Sequence, residues 1–221
     1  MRFQDRREAG RFLAGTLDRF AGEDAVVIGL PRGGIPVALE VSRALQAPLD
    51  AIVVRKVGVP WKPELAMGAV AEGRVRDYDA ELIDVLGVSS YDVEHRFGEA
   101  ENELAERVIR YRHVRPALDL SHRTALIIDD GVATGSTARA ACRAARVRGA
   151  SEVVLAAPVG PPTAFARFSD VADQVHLAAC PDDFEAVGQF YAEFGPIDDE
   201  EVVRILACAR DAGIQIDQRL D

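Results

Sequence analysis

One stretch limits what this chain can become more than any other. Ala125-Leu126-Ile127-Ile128 runs without alternation into Asp129-Asp130. A loop of small residues, Gly131-Val132-Ala133-Thr134-Gly135, then leads to Ser136-Thr137 and the pattern of a helix. An unbroken apolar run of this kind predicts a parallel strand buried on both faces. The two carboxylates then stand at its C-terminal tip, where open α/β sheets receive ligands. The loop offers successive backbone N–H groups, and the helix turns its positive end to the same spot. Together they make a cradle for a phosphate.

Carboxylates beside such a cradle would repel a bare phosphate. A ligand that suits both parts carries hydroxyls next to its phosphate, as a ribose 5-phosphate does. Rival loops fit less well. A Walker A loop needs Gly-x4-Gly-Lys-Ser/Thr, whereas Gly131 and Gly135 are one residue too close and Ser136 follows the second. A dehalogenase-type nucleophile needs acids two apart, and these are adjacent. The plain alternative is an Asp that caps a helix after an ordinary turn.

The rest of the chain agrees with an α/β sheet. Asp5 and Glu8 have capping-box spacing and open a helix over about 5–21. Ala25–Leu30 is the first buried strand, with Pro31-Arg32-Gly33-Gly34 at its tip and Pro36 in the first turn of the next helix. The glycines let a backbone approach a ligand closely, and Arg32 can offer planar donors to phosphate oxygens. Leu49–Val54 reads as the second strand, ending in Arg55-Lys56, and Val57–Gly73 as a loop or loose hairpin. Residues 77–120 form an insertion with a long polar helix from Tyr91 to about His113, either solvent-facing or a dimer contact. Glu152–Ala157 and Gln174–Ala179 are further strands, with a helix over Thr163–Val171 between them. A last helix begins at Asp198 and is capped near Gly213. The segment 184–194 is rich in aromatics, which form a small hydrophobic core or stack on a ligand.

These elements predict an α/β fold: an open, mostly parallel twisted sheet with helices on both faces. The expected organisation is one domain, with a core over about 23–76 and 121–180 and a helical insertion at 77–120. The terminal segments 1–22 and 181–221 form a small hood. The net charge of −10 argues against a nucleic-acid partner, so an anionic ligand needs locally concentrated positive charge. Only two of the 26 basic residues are lysines, Lys56 and Lys62, and both lie in one short segment around Trp61. Cys142, Cys180 and Cys208 lack metal spacing and suggest buried thiols in a reducing cytoplasm. No apolar run is long enough to predict a membrane span.

Ile127–Thr137 closely resembles the signature of the type I phosphoribosyltransferases. The resemblance implies an activity that uses phosphoribosyl pyrophosphate and Mg2+ to join a nitrogenous base to ribose and release pyrophosphate. It also implies a role for each matching residue. Asp129 and Asp130 are the expected catalytic pair and hold the ribose hydroxyls. They share the phosphoribose with Gly131, Val132, Ala133, Thr134, Gly135, Ser136 and Thr137, whose loop wraps the 5′-phosphate. Arg32, Gly33 and Gly34 form the expected pyrophosphate loop, helped by Arg55 and Lys56, and 57–73 covers the site as a mobile lid. Magnesium is held through the substrate, with no direct protein ligand. Ala133 stands where enzymes for 6-oxopurines carry an aspartate, which disfavours those bases. Two alternatives stay open: a non-catalytic regulator that binds phosphoribosyl pyrophosphate, and an unrelated α/β phosphohydrolase with Asp129 as nucleophile.

Overall fold

The computed structural model describes residues 1–22 and 24–217. In chain order the protein runs α1 (Arg6–Ala14), β1 (Ala25–Gly29), α2 (Gly34–Leu45), β2 (Leu49–Ala51), β3 (Val54–Val59), β4 (Lys62–Ala71), β5 (Val75–Tyr78), α3 (Ala80–Leu86) and α4 (Ser90–Val114). It continues with β6 (Thr124–Ile128), α5 (Ser136–Val147), β7 (Glu152–Val159), α6 (Ala164–Arg167), β8 (Gln174–Ala179) and α7 (Asp199–Asp217).

Five strands form one sheet in the order β2-β1-β6-β7-β8, and every neighbouring pair is parallel. The unbroken apolar run is explained by two covered faces. Val27, Leu126, Ile128 and Val154 enter one core with residues of α1, α2 and α7. Val26, Ile28, Ala125, Ile127 and Val153 enter the other with α5. The α5 face is made of Ala138, Ala141, Cys142 and Ala145, all buried, so the helix lies close to the sheet. From β1 the chain steps to β2 on one side, while β6, β7 and β8 build outward on the other. The crevice where strand order reverses therefore lies between the C-terminal ends of β1 and β6, the place where such sheets bind ligands.

A second sheet, β3-β4-β5, is an antiparallel meander. Of the loop or loose hairpin expected over 57–73 it shows the hairpin, well ordered, with the exposed Trp61 at its tip. Ala69, Ala71 and Val75 face the α5 core, and Val57, Met67 and Val70 join the core that holds Phe97 and Leu104 of α4. This sheet also corrects the second core strand. β2 ends at Ala51, because from Val54 the chain pairs with Ala71 of β4 instead. Arg55 and Lys56 thus lie within β3 and not at a tip of the parallel sheet.

The insertion helix packs one face against the rest of the protein and leaves the other to solvent. It buries Val93, Phe97, Ala100, Leu104 and Tyr111, and Tyr111 donates from its hydroxyl to Asp199 Oδ1 at 2.6 Å. Near its end Arg112 ties three elements together. It donates to Asp50 Oδ1 at 2.6 Å, to both oxygens of Glu72 and to the Ala51 carbonyl. Asp50 is fully buried and also takes Arg148 Nη2 at 2.8 Å and the Leu118 amide at 3.1 Å.

Smaller differences follow local chemistry. α1 stops at Ala14, and a short 3-10 turn over Asp18–Phe20 completes the predicted segment. α6 covers only Ala164–Arg167 of the predicted Thr163–Val171. α7 passes through Gly213 to Asp217 where a cap was expected. Of the three free cysteines only Cys142 is buried, while Cys180 and Cys208 are exposed. No helix among the described residues is long and apolar enough to cross a membrane.

Candidate functional site

The crevice is built around Asp129 and Asp130, immediately after β6. Both side chains are half-buried. Asp129 Oδ1 accepts the Asp130 amide at 2.9 Å. Asp130 Oδ2 accepts Arg6 Nε at 2.8 Å, and the Asp130 carbonyl accepts the Tyr191 hydroxyl at 2.5 Å. Among the described residues no donor other than the neighbouring carboxyl reaches the second oxygen of either acid, Asp129 Oδ2 or Asp130 Oδ1. Burial pushes the Asp129 carboxyl well above the usual carboxylate range, and the neighbouring Asp130 charge pushes it further. Burial also raises Asp130, against the opposing pull of Arg6. Together the two acids offer two acceptors side by side and hold a proton more tightly than ordinary aspartates.

Two stretches of backbone flank the acids. On the β6 side, the amides of Ala133, Thr134, Gly135, Ser136 and Thr137 have no acceptor among the described residues. Gly135 caps α5 at φ +80°, a left-handed conformation that suits glycine, and a Cβ there would stand 2.5 Å from Phe168. Arg167 Nη1 holds the loop from outside, donating to the carbonyls of Ala133 and Thr134 at 3.1 and 2.9 Å. Those carbonyls are drawn away while the amides stay available. On the β1 side, the amides of Arg32 and Gly33 are likewise uncommitted among the described residues. A Cβ on Gly33 would stand 2.1 Å from Asp130 Oδ2, and one on Gly34 would stand 2.6 Å from the Ile128 carbonyl. The two glycines thus let the first loop lie directly on the acids.

The structure brings Arg32, Gly33, Gly34 and Asp129–Thr137 to one crevice. It places Arg55 and Lys56 elsewhere. Arg55 forms an ion pair with Glu103 of α4, and Lys56 Nζ donates to the Glu64 carbonyl at 3.1 Å across the hairpin. A cleft of about 590 Å³ opens between that hairpin and the loop, with Glu64, Leu65, Tyr78, Thr134, Ser136 and Arg167 among its walls.

Sequence reasoning missed Arg6, Tyr191, Arg167 and Val187. Val187 explains Gly131, since a Cβ there would stand 2.5 Å from Val187 Cγ1. The only signal for this group was the aromatic density of 184–194. That segment forms a small core of Phe190 and Tyr191 with Phe3, Ala9 and Val159. Phe184 stacks on Phe190 with ring centroids 5.6 Å apart.

The comparisons with known proteins agree with this geometry. The chain is 48% identical over 206 residues to a Mycobacterium tuberculosis protein named "Putative phosphoribosyl transferase", in two strains of that organism. The match covers 92% of this chain and 46% of the relative, so the chain spans about half the length of the curated relatives it matches. The crystal structure of TT1426 from Thermus thermophilus superposes with a TM-score of 0.79 at 42% identity, covering 94% of this chain and 98% of that one. The phosphoribosyl transferase domain family matches residues 4–193, a span that holds both loops, the acid pair and the residues that brace them. The chain belongs to the phosphoribosyl transferase domain family.

Proposed function

We propose that the crevice between β1 and β6 binds phosphoribosyl pyrophosphate with magnesium and transfers the phosphoribosyl group to a nitrogenous base, releasing pyrophosphate. The observation that carries this reading is the juxtaposition of five uncommitted amides at Ala133–Thr137 with two acids that each keep one oxygen. The amides and the N-terminal end of α5 suit the 5′-phosphate. The two oxygens suit the two hydroxyls of a vicinal diol. The amides of Arg32 and Gly33, with the exposed Arg32 side chain, suit the pyrophosphate.

As the bond from ribose C1 to pyrophosphate loosens, positive charge builds on the ring, and Asp129 and Asp130 lie beside it and stabilise it. The base then takes C1, and the leaving pyrophosphate keeps the bonding electron pair. Magnesium fits the site as a companion of the substrate. The described residues hold no cluster of three or more His, Cys, Asp or Glu side chains able to hold it alone. Asp129 and Asp130 would each give it at most one oxygen, and phosphate and hydroxyl oxygens would supply the rest. When bound it neutralises the pyrophosphate.

The test is a base panel with phosphoribosyl pyrophosphate and magnesium, scored by pyrophosphate release. Turnover is expected with at least one base. Hypoxanthine and guanine should be poor acceptors, because Ala133 offers no carboxylate for their proton. Tight binding of phosphoribosyl pyrophosphate without turnover on any base would favour the regulator. Gly33→Ala probes the geometry. Its Cβ would displace the Asp130 carboxylate, and a misplacement of about 1 Å costs about 10²-fold. Pyrophosphate release should fall by about that factor while the melting temperature stays close to that of the parent. An unchanged rate would show that Asp130 need not be held where it stands.

A further inference from the structure

The loop after β6 is open in front and gripped from behind. Arg167, the last residue of α6, reaches back to it. One nitrogen, Nη1, donates to two successive carbonyls, Ala133 at 3.1 Å and Thr134 at 2.9 Å. The base of that arm is fixed. Arg139 Nη1 of α5 donates to the Arg167 carbonyl at 2.6 Å, and the same guanidinium takes both oxygens of Asp170 at 2.6 and 2.7 Å. The next residue, Phe168, is fully buried, and its ring lies against Gly135, where a Cβ would collide with it. Arg167, Ala133 and Thr134 are themselves exposed, so burial does not force the contact.

A peptide group is planar and trans, so its C=O and N–H point in opposite directions. Drawing the Ala133 and Thr134 carbonyls toward Arg167 therefore turns the amides of Thr134 and Gly135 the other way. Neither amide has an acceptor among the described residues. The second of these peptides has an alternative. Gly135 stands at φ +80° and ψ 1°, the values of the third residue of a type II turn. Turning the Thr134–Gly135 peptide over gives the type I values, with φ about −90°. Glycine tolerates both signs of φ, so its own stereochemistry does not choose between them.

We propose that Arg167 is the positioning residue of this loop. Its grip on the two carbonyls selects the peptide orientation that presents the Thr134 and Gly135 amides to the 5′-phosphate. The assignment rests on the proposed function, in which the loop receives that phosphate. Arg167 acts from the carbonyl side, behind the donors it aims. Two consequences separate this role from simple attraction of an anion. The grip uses one nitrogen, so an ammonium reproduces part of it, whereas the shorter, neutral amide of glutamine does not. Its loss weakens the hold on the phosphate and leaves the reacting carbon alone, so it enters KM and not kcat.

The experiment compares the parent with Arg167→Gln and Arg167→Lys. Crystal structures of the three ligand-free proteins show on which side of the chain the Thr134 carbonyl lies. In Arg167→Gln it should be turned over, or present in both orientations. The KM for phosphoribosyl pyrophosphate should rise about tenfold or more, the scale of one hydrogen bond to a charged group. Over the same series kcat should stay within about threefold of the parent. Arg167→Lys should recover part of the KM, and all three proteins should melt alike because the side chain is exposed. An Arg167→Gln structure whose Thr134 carbonyl has not moved overturns the proposal, and so does an unchanged KM. A KM that Arg167→Lys restores in full and that added salt equalises also overturns it, since that is how a distant charge behaves. Should the parent neither bind phosphoribosyl pyrophosphate nor release pyrophosphate, the reading of the crevice falls by itself. The ligand-free structures still decide whether Arg167 sets the peptide.

Discussion

Replacing Asp129 by Asn is expected to lower pyrophosphate release by about 10³-fold or more and to raise the melting temperature at neutral pH. The two effects share one cause. Asp129 stands where positive charge develops, in a place that burial and Asp130 make costly for a carboxylate. Asn keeps the Oδ1 acceptor for the Asp130 amide and discards the charge. The pH dependence follows from linkage. Because the folded carboxyl binds its proton more tightly than the unfolded one, the folded state holds more protons between the ordinary aspartate value and the raised one. Stability therefore falls as pH rises through that window. Below the ordinary value both states are protonated, and the parent and variant should melt alike. At pH 7.5 the variant should melt higher, by about 2–4 °C for each 1 kcal/mol relieved. Calorimetry from about pH 3 to pH 8 reads both limits, and a variant that melts lower at pH 7.5 would contradict the electrostatic account. The double change Asp129→Asn with Asp130→Asn should abolish turnover while the protein stays folded.

The largest loss of stability is expected at Asp50. This carboxylate is fully buried and satisfied by Arg112, Arg148 and two amides. Asp50→Ala leaves two guanidiniums, each under one-fifth exposed, facing an uncharged gap. Breaking a buried pair from one side costs about 3–5 kcal/mol, which for a domain of this size lowers the melting temperature by about 6–20 °C. The contrast is the exposed pair of Arg96 and Glu99 on α4, where Glu99→Ala should cost no more than about 0.5 kcal/mol. Denaturant midpoints for the two variants check the ranking, and comparable losses would mean that burial does not set these energies here. Pyrophosphate release by folded Asp50→Ala should stay near the parent value, since Asp50 does not touch the crevice.

The sheet was legible because its strands are covered on both faces. Val26 to Ile28, Ala125 to Ile128 and Val153 to Ala157 had no periodicity to mislead, and the carboxylates that end β6 announced the crevice. Gly33, Gly34 and Gly135 carried their own signal, since each stands where a side chain would collide. What could not be read is long-range. Nothing near Arg6 points to Asp130, which is 124 residues away in sequence. Nothing in the polar pattern of α4 shows that Arg112 is drawn inward by Asp50. Arg55 and Lys56 misled for the same reason. A basic pair after an apolar run reads as a strand tip until the hairpin partner at Ala69–Val70 is known.

The chain leaves the parallel sheet at Ala51 and re-enters it at Thr124, and everything between is one excursion. No strand of the excursion hydrogen-bonds to the five parallel strands, so hairpin and insertion could be transplanted between related proteins without altering the sheet's register. Such grafts must carry three polar seams intact. They are Asp50 with Arg112 and Arg148, Asp77 with Arg139 and Arg143, and Asp199 with Arg107, Arg110 and Tyr111. A chimera that honours all three should keep the parallel sheet and its crevice while exchanging the hairpin above them, which makes the domain a convenient chassis for separating covering from chemistry.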